Sequence, residues 1–238
     1  MKQAANLPRP AGSVRATSDR AAFARFAWAL LAYNVAVILW GAYVRATGSG
    51  AGCGRHWPLC DGQVIPRFPA VQRIVEFTHR ASSGVVVILA VGTIVWAWRA
   101  FPRGHRVRQG AALVGLFTAT EALLGAALVL FGWTAQNALA PSTAAHLVNT
   151  FLLLAALALT AHWAAGGRPL QIHEQGWAAW ALALALLAGL ALGVSGAITA
   201  LGDTLFPAGS LATGVQQDFS AGANILIRLR VLHPIFAV

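Results

Sequence analysis

The sequence predicts an all-α integral membrane protein of two similar four-helix bundles, eight spans when intact, with five full spans and the start of a sixth in this chain. Three observations predict it. The 238 residues are 58% hydrophobic and 10% charged, with mean hydropathy +0.65, whereas soluble domains are about a quarter charged. Five apolar segments each reach the roughly 20 residues needed to cross a bilayer. A glycine and a histidine also recur at a common offset, as a duplicated unit would have them. The net charge of +10 does not point to nucleic acid, because the basic residues cluster in short connections between apolar segments.

Residues 1–22 form a tail with Lys2, Arg9, Arg15 and Arg20 against one acid, Asp19. No apolar h-region precedes the first span, so the tail is not a secretory signal. It reads as a cytoplasmic tail, with a mitochondrial transit peptide as the alternative. Spans follow at 23–46, 72–100, 109–132, 140–165 and 176–201. A sixth begins near Ile225 and runs to Val238, too short to span, so the chain is expected to be part of a longer protein. Residues 23–165 then form the first four-helix repeat and 176–238 an incomplete second. Trp28, Trp40, Trp57, Trp133, Trp163 and Trp177 fall near span ends or in loops, where interfacial aromatics belong.

The tail, with Arg25, and the 99–108 connection together carry nine Lys and Arg, and the 133–141 connection carries none. The positive-inside rule therefore puts the N-terminus and the 99–108 and 166–175 connections in the cytoplasm. Loops 47–71, 133–139 and 202–224 face outward. Arg45, Arg55, Arg67 and Arg73 run against that rule and need a separate reason.

The first outward loop holds both cysteines, in "GCGRHWPLC". Cys53 and Cys60 are seven apart, too loose for a redox C-x-x-C and without the second pair a zinc site needs. In a Gly- and Pro-bearing loop on the oxidising side, the pair suggests a disulfide, two free buried thiols being the alternative.

Three spans descend from the outer face, and each places a histidine at one depth. His79 lies about 10 Å below the start of its span, at 1.5 Å per residue. His146 follows Pro141 by five residues, and His233 follows Arg228 by five. His56, His105, His162 and His173 fall in loops or at the cytoplasmic end, where an interfacial or solvated role suffices. A single intramembrane histidine is more often an interhelical hydrogen-bonder than a ligand. Three level histidines instead suggest axial ligation of heme iron between helices. Propionates at the outer surface would then meet Arg45, Arg73, Arg80, Arg228 and Arg230, with snorkelling to headgroups as the competing account.

"GAYVRATG" at the end of span one resembles "GAITALG" at the end of span five. Gly41 and Gly196 are 155 apart, and His79 and His233 are 154 apart. Both copies run in the same direction, as parallel repeats do. A partner for His146 is expected near position 300, giving two histidines per half.

"GAYVRATGSGAGCGRHWPLCDGQVIP" followed by "EFTHR" resembles the heme A synthase family, from about Ala24 to the end of the chain. The resemblance implies eight spans in two halves with four histidines. It implies oxidation of the C8 methyl of heme O to a formyl group, giving heme A for terminal oxidases. It also implies that Glu76, His79 and His146 serve substrate heme O in the first half. His233 becomes an axial ligand of a prosthetic heme b in the second. Cys53 and Cys60 match the family's disulfide pair. Many members have Gln where this chain has Glu121, which leaves that residue's role open.

Glu76 and His79 are three apart and share a helical face. Glu76 is expected to be catalytic with His79, passing protons beside the heme edge. The alternative is that it pairs with Arg73 or Arg80 and orders the helix end. His79, His146, His233, Arg45, Arg80 and Arg228 form the expected heme-binding set. Expected partners are heme O synthase as supplier of substrate, an unidentified electron donor, the lipid bilayer and a possible homo-oligomer. The expected location is the bacterial inner membrane, with the mitochondrial inner membrane second. A b-type cytochrome that only carries electrons is the main competitor. A di-iron oxygenase would need further acids at this depth, and a quinone-linked disulfide generator would need a second cysteine pair.

Overall fold

The computed structural model describes residues 11–67, 70–132, 139–169, 171 and 175–238. Lys2, Arg9, Trp133 and His173 lie outside the described residues. The described chain is helical, with one isolated antiparallel bridge between Cys60 and Gln63. Its long helices are α1 (Ala11–Ala46), α2 (Val71–Ala100), α3 (Arg106–Leu130), α4 (Leu139–Ala164) and α5 (Trp177–Leu205). Short helices α6 (Leu211–Asp218), α7 (Ile225–Leu229) and α8 (Leu232–Ala237) follow. Each of the five long helices is apolar and long enough to cross a membrane, over Ser18–Ala46, Val71–Ala100, Arg106–Leu130, Ser142–Ala164 and Trp177–Asp203. The five spans expected from hydropathy are therefore present, within a few residues at each end.

Helix ends follow local chemistry. Gly48, at φ 62°, turns the chain out of α1, and its N–H donates to Arg45 O at 3.0 Å. Pro102 follows the end of α2 and cannot continue it. His105 caps α3 through Nδ1, which accepts the Val107 N–H at 3.2 Å.

Helix α1 packs against α2 and α4, and α3 packs against the same two, so α2 and α4 are the diagonal pair of a four-helix bundle. Helix α5 lies outside it, against α4, α7 and α8. Two apolar clusters fill the half of the bundle away from the cysteine loop. One gathers Phe23, Ala27, Ala97, Phe101, Val107 and Ala161, and the other Leu30, Ala90, Val114, Leu153 and Leu157. Small residues draw the helices together there. A Cβ on Gly110 would meet Thr160 Oγ1 at 2.3 Å. The half nearer the cysteine loop carries the polar groups.

The sixth span expected from Ile225 is interrupted between α7 and α8. Pro234 has no N–H to give Arg230 O in the next turn. That carbonyl instead accepts from His233 N–H at 3.2 Å and from Thr199 Oγ1 at 3.5 Å.

Candidate functional site

His79 projects from α2 and His146 from α4, the two diagonal helices of the bundle. The His79 ring lies over Gly41 of α1, where a Cβ would come within 2.9 Å of Cε1 and 3.2 Å of Nε2. Its Nδ1 is buried without a hydrogen-bond partner in the protein. Buried polar nitrogens are rarely left unsatisfied, so an orphan here marks a place for a ligand. His146 Nδ1 is also buried, 3.5 Å from Glu121 Oε1, which is too long for a good hydrogen bond. A Cβ on Gly125 would stand 3.9 Å from its ring.

His233 lies apart from this pair, against α5, in an arrangement that repeats the first. A Cβ on Gly196 would meet its Cε1 at 2.9 Å, matching Gly41 and His79. Its Nδ1 is 3.2 Å from Ser195 Oγ. With the Ser195 hydroxyl donated to Leu192 O at 3.0 Å, Nδ1–H is the donor to Ser195 Oγ and Nε2 keeps its lone pair. The glycine and histidine signal of the sequence is thus a packing unit, an imidazole seated on the helix backbone where no side chain intervenes.

Glu76 is 3% exposed and faces the cysteine loop. Its Oε2 accepts the Cys53 N–H at 2.6 Å, and its Oε1 accepts from Arg80 Nε at 3.0 Å and also from Arg80 Nη2. Arg80 in turn donates to Leu59 O at 2.7 Å and to His56 O. The pairing with Arg80 named as the alternative for Glu76 is present. Arg73 binds Asp61 at 3.0 Å and Gly52 O at 3.3 Å. Cys53 and Cys60 stand at disulfide distance, with sulfurs 2.00 Å apart and Cα atoms 4.4 Å apart. Gly52 lets the loop lie on α2, because a Cβ there would fall 2.4 Å from Gln72 O.

Several arginines at the cysteine-loop end of the fold have protein partners. Arg55 donates to Leu130 O at 3.2 and 2.8 Å, capping the carbonyl end of α3. Arg228 donates to Ala221 O at 2.6 Å. Arg45 donates to Thr143 Oγ1 at 2.9 Å, a neutral hydroxyl. Of the expected heme-binding arginines, Arg80 is held by a carboxylate and Arg228 by backbone carbonyls, while Arg45 has this neutral partner.

Sequence reasoning missed Asn149 and Thr150. Asn149 Nδ2 donates to Glu121 Oε2 at 2.6 Å, and Thr150 Oγ1 donates to Oε1 at 2.5 Å. Their signal was available: polar residues three and four after His146 lie on its face of the helix. Among the described residues, no group of three or more His, Cys, Asp and Glu side chains gathers as a metal cluster. A buried imidazole with an orphaned nitrogen and a second buried imidazole are donors of the kind that would hold a heme iron.

Fold and site together define an all-helical integral membrane protein with His79 and His233 each seated on a helix glycine. The chain belongs to the cytochrome oxidase assembly protein family, whose model matches residues 24–238. A Thermus thermophilus protein named protoheme IX farnesyltransferase is 56% identical over 218 residues, covering 90% of this chain and 36% of that protein. A Halalkalibacterium halodurans heme A synthase is 43% identical over 98 residues, 41% of this chain and 33% of its own length. One from Alkalihalophilus pseudofirmus is 41% identical over 96 residues, 40% of this chain and 32% of its own. The chain thus spans about a third of the length of these curated relatives. No solved structure matches it.

Proposed function

We propose that the protein acts as a heme A synthase, oxidising the C8 methyl group of heme O to a formyl group. The observation that carries this reading is the pair His79 and His146 on the diagonal helices, with the buried Nδ1 of His79 left unpartnered. Family membership and the similarity to heme A synthases support it. In this reading His79 and His146 hold the iron of substrate heme O. Arg45 takes a propionate, since its partner Thr143 is neutral and an unpaired intramembrane cation calls for an anion. His233, seated by Ser195 and Gly196, is an axial ligand of heme b in the second half. When bound, heme b supplies one-electron redox chemistry.

Glu76 takes up protons released as the methyl group is oxidised, with Arg80 holding the carboxylate in place beside His79. Heme O is supplied by an enzyme that transfers a farnesyl group to protoheme. The relative carrying that name, of which 36% matches this chain, supports a close association of the two activities. The chain sits in the bacterial inner membrane with its N-terminus in the cytoplasm. A second reading, a b-type cytochrome that carries electrons without altering its heme, is favoured by one observation. Both Glu76 oxygens are already engaged, by Cys53 and Arg80.

Pigments extracted from the purified full-length chain and from a Glu76→Ala variant decide between the two. Heme b together with heme O or its oxidised products in the parent, and a stall at heme O or the alcohol in the variant, supports the synthase. Heme b alone, in equal amount in both, overturns it.

A further inference from the structure

Glu121 lies midway along α3, where an ionisable side chain in hydrocarbon requires partners. Its partners all come from α4. Asn149 Nδ2 reaches Oε2 at 2.6 Å and Thr150 Oγ1 reaches Oε1 at 2.5 Å. Asn149 is itself held from α3, donating to Phe117 O at 2.9 Å and accepting from Thr120 Oγ1 at 2.6 Å. Two donors on two oxygens fix the rotation of the carboxylate. The oxygen that Thr150 holds is the one presented to His146 Nδ1 at 3.5 Å.

We propose that Glu121 is a positioning residue for His146, orienting the imidazole and strengthening it as a ligand to an iron bound at Nε2. The inference rests on the heme reading of the His79 and His146 pair. A carboxylate at one imidazole nitrogen selects the tautomer protonated there, leaves the other nitrogen as donor and raises its basicity. The three histidines differ in this respect. Neither His79 Nδ1 nor His146 Nδ1 has a hydrogen bond, and His233 Nδ1 meets the neutral Ser195 hydroxyl, but His146 Nδ1 alone of the three faces a carboxylate oxygen, at 3.5 Å. Glu76 cannot serve His79 in the same way, because its oxygens are turned to the cysteine loop. An iron held by His146 is therefore biased toward its oxidised state, and one held by His233 less so.

The test is titration of hemin into the purified full-length protein, following the spectral component that disappears in His146→Ala. Glu121→Gln, close in shape but uncharged, should raise the midpoint potential of that component and weaken hemin retention about 10–100-fold. Asn149→Ala removes one of the two donors that fix the carboxylate but leaves its charge, and should shift that potential in the same direction by less. A second measurement needs no variant at Glu121. In the parent, the component should show smaller low-spin g-anisotropy than the one lost in His233→Ala. An unchanged potential in Glu121→Gln, an equal shift in Asn149→Ala, or equal anisotropy of the two components overturns the inference. If His146→Ala removes no component, the heme reading itself fails and takes the inference with it.

Discussion

Glu76 and Arg230 occupy equivalent places, each three residues before a glycine-seated histidine and 154 residues apart, yet they carry opposite charge. Both are buried, at 3% and 7% exposure, and both fasten a loop at the same end of the fold. Glu76 binds Cys53 and Arg80. Arg230 binds Asp203 at 2.6 Å and Asp218 at 2.8 Å. The two places share an ion-paired clamp one turn from the histidine, with its sign inverted. Asp203 is 60% exposed at its side chain, so the Asp218 contact dominates the Arg230 clamp.

Breaking such a clamp by removing one member leaves an uncompensated buried charge, which costs about 3–5 kcal/mol. Arg80→Met and Arg230→Met should therefore each lower the unfolding midpoint in detergent sharply, and Asp203→Asn should move it little. Equal, small effects from all three would show that the clamps contribute no stability.

Gly41→Ala should disturb His79 rather than the bundle. The clash, 2.9 Å to Cε1, falls on a movable ring, whereas overpacking a rigid core costs about 1–3 kcal/mol. Thermal unfolding should stay near that of the parent while hemin binding at the His79 and His146 pair weakens. Gly196→Ala should do the same to the component assigned to His233. Loss of both components in either variant would contradict two independent seats.

Arg45→Ala should weaken hemin retention more than Arg228→Ala, because the Arg228 guanidinium is spent on Ala221 O. Dissociation of hemin to an excess of apomyoglobin measures the difference. Equal rates in the two variants would remove Arg45 from the propionate site.

At the opposite end, burial and then the positive charge of Arg20 hold the His105 pKa below its ordinary value of 6.5. The neutral ring is the one that works, since Nδ1 must accept the Val107 N–H. The folded state binds the proton less readily than the unfolded one. The contribution of His105 is thus present above about pH 6.5 and is lost as pH falls through the lower folded value. His105→Asn keeps an acceptor at the cap and should flatten this acid slope, whereas His105→Ala should cost about 0.5–2 kcal/mol above about pH 6.5 and progressively less as pH falls. Unfolding midpoints between pH 5 and 8 report both effects. An unchanged slope in His105→Asn would remove the histidine as its source.

Much of the candidate site was legible because its signals are periodic or additive. Hydropathy sums along the chain, so the five spans appear without knowledge of their neighbours. The glycine and histidine offsets appear because spacing is read directly along the chain. The pairing of Glu76 with Arg80 was open as one of two choices, since residues four apart meet on a helix whatever surrounds it. The Glu121 network was illegible, although Asn149 and Thr150 stood in plain view in an apolar span. Their meeting with Glu121 depends on how α3 and α4 are rotated against one another, which no single-helix pattern contains.

By itself, then, the sequence determined the membrane class, the five spans and the cysteine pair. These follow from transfer free energy and from spacing along one helix, both local quantities. Only the tertiary structure decided that His79 and His146 share one bundle while His233 sits outside it, against α5. It also decided which arginines are already bound and which histidine nitrogen faces a carboxylate. Those outcomes turn on side-chain separations of a few ångströms between helices distant in sequence. At that range, in a medium without water, a hydrogen bond made or missed decides the chemistry of a group.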